Sequence, residues 1–142
     1  MRFLIDTNVY LEWLLQRERA EKTDEFFYLN TIKNNQTIVT SMTLRDIEYA
    51  VKRQYHNRDE ARKTIFDVYS MVSKVVSTSA DAAIESIYND VKDYEDSLQM
   101  ISAEEAMCDA IITYNKKDFD KSKLPVFTPE EMIDIWKRQQ SK

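Results

Sequence analysis

Five short runs of aliphatic and β-branched residues, separated by stretches of helical period, constrain this chain more than any other feature. The runs are Phe3 to Ile5, Thr37 to Thr40, Lys74 to Val76, Ala110 to Thr113 and Val126-Phe127. Apolar side chains recur every three or four positions over 7–17, 22–34, 43–54, 59–72, 80–91, 94–107 and 130–139, which predicts helices there. Start signals agree. Ser79 precedes one helix as an N-cap, and Thr128-Pro129-Glu130-Glu131 has the form of a capping box with proline in the first turn. Strands alternating with helices imply right-handed crossovers and a mostly parallel sheet covered on both faces. The expected architecture is a three-layer α/β/α fold with about five short strands, formed as one domain over 1–142.

That frame gives Asp6 an address. It ends the first apolar run, and in open parallel sheets ligands bind beyond the carboxyl ends of the strands. A helix cap is the plainer use for such a residue, but a cap needs no full charge. Other acids take equivalent places. Asp46 follows the second strand, Asp93, Glu95 and Asp96 open a helix, and Asp118 with Asn115 leaves the fourth strand. Capping alone would account for Asp93, and a solvated helix face for Glu95. A joint arrangement of Asp6, Asp46, Asp96 and Asp118 is the sharper expectation.

Carboxylate oxygens suit magnesium or manganese over zinc, and the single histidine, His56, argues against a histidine-based metal site. Such ions let an acidic cluster bind a phosphodiester and activate water, so metal-dependent phosphodiester hydrolysis is the chemistry these residue types favour. The absence of any glycine removes the glycine-rich phosphate loops of P-loop NTPases, kinases and dinucleotide-binding dehydrogenases. A net charge of −5 argues against binding nucleic acid by bulk electrostatics. Arg45, Lys52, Arg53, Lys116, Lys117, Lys121 and Lys123 nonetheless flank the acids as a possible phosphate track. The lone Cys108, beside Met107 and Ala106, reads as a core thiol in a reducing cytoplasm. No signal peptide or membrane span is read. Core packing is the expected role of Phe26 to Leu29, Trp13, Tyr49, Tyr55 and Tyr69, the tyrosines with a dimer surface as alternative. Trp136 is expected to pack on the sheet edge.

The segment FLIDTNVYLEWL closely resembles the opening motif of the PIN-domain ribonucleases, including VapC-like toxins. TSMTLRDIEYAVKR is similar to the second motif, and DYEDSLQMISAEEAMCDAIITYNKKDF to the later acidic helix, strand and loop. The resemblance implies a PIN-like fold and an endoribonuclease using Mg²⁺ or Mn²⁺. It implies Asp6 and Asp96 as core metal ligands, Asp46 as a further catalytic acid, Asp118 as the fourth, Asp93 as an auxiliary ligand, and Thr113 and Asn115 as supporting residues. An RNA substrate, an antitoxin partner and a homodimer follow by the same resemblance. The main alternative is a non-catalytic PIN-like interaction module, suggested by Asp at 46 and Asn at 115 where relatives more often carry Glu and Asp. A phosphoacceptor receiver-like domain ranks lower, since the required acid pair and lysine are not in that arrangement.

Overall fold

The computed structural model describes residues 1–141. Five strands form one parallel sheet: β1 (Arg2–Ile5), β2 (Gln36–Thr40), β3 (Lys74–Val76), β4 (Ala110–Ile112) and β5 (Val126–Phe127). Their spatial order is β3-β2-β1-β4-β5, with Phe3 beside Thr37 on one side and Ala110 on the other. Helices connect them: α1 (Thr7–Leu14), α2 (Ala20–Ile32), α3 (Ser41–Tyr55), α4 (Arg58–Met71), α5 (Ala80–Tyr88), α6 (Tyr94–Glu105) and α7 (Pro129–Gln140). A 3-10 turn, Lys116–Phe119, stands where the sequence suggested an open loop.

Alternation along the strands separates two cores. Phe3 and Ile5 of β1, Val39 of β2, and Ala110 and Ile112 of β4 face a large layer with Val9, Tyr10, Phe26, Ile47 and Val68. Leu4, Ile38 and Ile111 face the opposite, smaller layer against Met100, Ala103, Cys108 and Phe119. The three-layer α/β/α expectation holds. Trp136 lies flat on Phe26, with centroids 5.6 Å apart, and tilts against Phe3 of the central strand, so it covers the sheet's middle and not its edge. Tyr49, Tyr55 and Tyr69 are exposed and take no part in the core.

A chain without glycine must place other residues where helices end in the left-handed region. His56 does so after α3 at φ 51°, and Gln16, Asn34 and Met107 also have positive φ. The order of the strands matters most for function. From central β1 the chain winds outward to β2 and β3, then returns to place β4 on β1's other side. The crevice at that reversal lies between the carboxyl ends of β1 and β4.

Candidate active site

Asp6 sits in that crevice, 6% exposed, with its backbone N–H donating to Ile112 O at 2.9 Å. It does cap α1: the backbone leaves the strand with extended geometry and Oδ1 accepts from Thr7 N at 2.9 Å. Capping and site placement are therefore one feature, contrary to the sequence expectation that they compete. Three more donors converge on the carboxylate. Gln99 Nε2 reaches Oδ1 at 3.2 Å, while Asn8 Nδ2 and Thr113 Oγ1 both reach Oδ2 at 2.8 Å. Burial pushes the Asp6 carboxyl above the usual carboxylate range, and Asp118 adds to this. Hydrogen bonds from Gln99, Thr113 and Thr7 pull the other way.

Around Asp6 opens a cavity of about 450 Å³, whose acidic lining residues are Asp6, Asp46, Glu95 and Asp96. Thr7, Asn8, Arg45, Tyr49, Gln99 and Asn115 complete much of the wall. Asp96 enters because Asp93 starts α6 just before it, Asp93 Oδ1 accepting from Asp96 N at 3.0 Å. Burial, followed by the charges of Asp93, Asp6, Asp118 and Glu95, pushes Asp96 up to about 7. Asp46 stands apart. Its upward shift comes from burial, its charge is offset by Arg45 at 3.5 Å, and it does not cap α3, a role taken by Thr40.

Two expected residues lie elsewhere. Asp93 and Asp118 line a second cavity of about 470 Å³ with Asp90, Asp120, Lys117 and Lys121. Asp118 still acts on Asp6 and Asp96 through its field. Asn115 borders the first cavity, and its N–H donates to Thr113 Oγ1 at 3.0 Å. Several flanking cations are already paired: Lys52 with Glu48, Lys116 with Glu131 and Lys121 with Asp90. Sequence reasoning missed Asn8, Gln99, Thr7 and Thr43 altogether. Glu95, assigned to a solvated helix face, is indeed exposed and also borders the cavity.

Oxygen donors of this kind suit a hard divalent cation, and the carboxylates crowding Asp96 have few cations among them. Yet among the described residues no three His, Cys, Asp or Glu side chains are drawn together tightly enough to hold an ion. The donor chemistry fits magnesium or manganese; a closed ligand cage is not formed.

A parallel α/β/α sheet with an acidic crevice beside its central strand defines a class of proteins, and the comparisons give the family. The family model described as PIN domain matches residues 2–117, and the chain belongs to that family. Solved structures share the fold at low identity. VapBC2 from Rickettsia felis bound to a DNA fragment from its promoter aligns with TM-score 0.64 at 17% identity, covering 89% of this chain and 97% of that one. A toxin-antitoxin complex from Klebsiella pneumoniae aligns at 0.61 and 22%, covering 89% and 96%. DNA-bound VapBC from Salmonella typhimurium aligns at 0.66 and 18%, covering 91% and 98%. No curated protein matches the chain.

Proposed function

We propose that this chain is a metal-dependent endoribonuclease, the toxin of a toxin–antitoxin pair, acting as a single domain over 1–142. The observation that carries this reading is the meeting of Asp6 and Asp96 in one cavity, the first braced by four donors and the second raised to about 7 by burial and then by neighbouring carboxylates. Asp6 and Asp96 would be the principal holders of Mg²⁺ or Mn²⁺, with Asp118 and Asp93 contributing from the adjoining acidic field. When bound, such an ion supplies Lewis acidity and a lowered pKa for water. Asp46 would act in catalysis from the cavity wall. Thr113 orients Asp6, and Asn115 in turn is tied to Thr113.

RNA is the proposed substrate by membership of the PIN-domain family, and a separate antitoxin chain is the proposed partner, since the similar solved structures are named as VapBC or toxin–antitoxin complexes. Homodimerisation and a cytoplasmic setting belong to the same proposal. No helix among the described residues is long and apolar enough to cross a membrane. The deciding experiment incubates purified protein with single-stranded and structured RNA in manganese, magnesium or chelator. Metal-dependent cleavage absent from Asp6→Asn supports the reading; cleavage that survives in chelator sinks it. The unformed ligand cage and the Arg45–Asp46 pair favour one alternative, a silent PIN-like binding module. That module would take up manganese in calorimetry and cleave nothing.

A further inference from the structure

The buried amide of Gln99 braces Asp6, and it organises more than that carboxylate. Gln99 lies one turn after Asp96 on α6 and is 2% exposed. It touches three groups from three segments: Asp6 Oδ1 between β1 and α1 at 3.2 Å, Thr43 Oγ1 of α3 at 3.2 Å and Thr40 Oγ1 of β2 at 3.0 Å. Thr43 Oγ1 lies 2.9 Å from Thr7 Oγ1, at the wall of the acidic cavity.

The directions of these bonds follow from which atoms can only accept. Asp6 is surrounded by groups able to donate, so its carboxylate accepts throughout and the amide nitrogen of Gln99, not its oxygen, faces Asp6. Gln99 Oε1 then points at Thr40, whose hydroxyl proton goes to it; otherwise a core acceptor would be left without a donor. Thr40 Oγ1 in turn accepts from Thr43 N at 3.1 Å. The second amide proton of Gln99 occupies Thr43 Oγ1, and the Thr43 proton then has two oxygens in reach, Thr7 Oγ1 at 2.9 Å and Thr40 Oγ1 at 3.2 Å. With Thr40 Oγ1 already accepting from Thr43 N, the nearer Thr7 oxygen is the better acceptor for that proton, and in this arrangement the proton of Thr7 itself is left for the cavity.

The geometry points to Thr7 Oγ1–H as an oriented donor for an anionic phosphodiester oxygen of the substrate, with Gln99 the positioning residue that sets its direction through Thr43. The assignment rests on the nuclease reading and names a substrate contact within it. Gln99 holds the relay from α6, Thr40 and Thr43 carry it across the end of β2 and the start of α3, and Thr7 delivers it from α1. A hydroxyl oriented before the substrate arrives needs no reorganisation when charge gathers on the phosphate oxygens.

The test measures steady-state cleavage of single-stranded RNA with manganese for wild type, Thr7→Val, Thr7→Ser, Gln99→Met and the double variant Thr7→Val/Gln99→Met. Manganese affinity of each is read separately by calorimetry. Thr7→Val is expected to lower kcat about tenfold or more while leaving manganese affinity unchanged, and Thr7→Ser to recover most of the loss. The double variant should be no worse than Gln99→Met alone, because both act through one hydroxyl. Should Gln99→Met fail to fold, Thr43→Val interrupts the same relay. A Thr7→Val enzyme within about twofold of wild type, an equal defect in Thr7→Ser, or losses that multiply would overturn the inference. If folded wild type cleaves nothing, the nuclease reading fails, and anisotropy with a fluorescent oligouridylate and calcium decides the donor alone. Thr7→Val binding about tenfold more weakly supports it; equal affinity, or no binding by wild type, overturns it.

Discussion

The floor and the rim of the acidic cavity treat their carboxylates in opposite ways. Asp6, on the floor, is buried at the end of a central strand and receives one donor from its own helix start, one from Asn8, one from β4's end and one from α6. Asp96, on the rim, is half-buried on the first turn of a helix and crowded by Asp93, Glu95, Asp6 and Asp118. Burial raises both carboxyls, but hydrogen-bond donors offset part of that cost at Asp6, whereas at Asp96 the neighbouring carboxylates add to it. A floor whose charge is already braced keeps its geometry; a rim under repulsion gains most from an added cation. The difference teaches that pre-organisation and ion demand are divided between two residues.

Removing either carboxylate breaks the division outright. Asp6→Asn and Asp96→Asn are each expected to reduce RNA cleavage about 100-fold or more, measured as kcat/KM with manganese. Thr113→Val tests the floor without changing charge. It deletes a donor to Asp6 and an acceptor for Asn115 and should cost about 1–3 kcal/mol in urea unfolding, with roughly tenfold weaker manganese binding. Unchanged stability would mean that the floor is not held as described.

The rim makes a prediction in pH. Asp96 has its pKa raised from an ordinary 3.8 to about 7, so between these values the folded chain keeps a proton that the unfolded chain has lost. Metal-free stability should fall as pH rises through that window, and Asp96→Asn should make the fall shallower without removing it, since Asp6 and Asp46 are raised as well; urea midpoints across the range measure it. Smaller effects follow at the margins. Asp93→Ala removes both a cap and a repelling charge, costing about 1 kcal/mol while lowering the Asp96 pKa, which carboxyl NMR titration reads. Asp46→Asn should reduce cleavage less than either principal change, because Asp46 is already paired with Arg45.

Much of the frame was legible in the order of residues. The strand runs, the seven helices and the parallel sheet follow from periodicity, and Asp93, Ser79 and Thr128 announce themselves as caps because capping is a local geometry. Asp6 at a strand end and Asp96 at a helix start were visible for the same reason. Asp118 was assigned to the same site from its place after β4, but the 3-10 turn carries it to the second cavity. Tyr49, Tyr55 and Tyr69 were expected in the core or on a dimer surface, and their exposure removes the first option; spacing does not say which helix face finds a partner.

What the sequence determined by itself was the class of fold and the kind of donor: alternation and helical period are properties of neighbours, and carboxylates prefer hard ions wherever they stand. Only the tertiary structure decided that a glutamine 93 positions from Asp6, and threonines 36 and 107 positions apart from their partners, would meet at one carboxylate and one hydroxyl. Hydrogen bonds act over about 3 Å and carry no periodic signature, so such contacts exist only once α1, α3, α6 and β4 are packed around the same crevice.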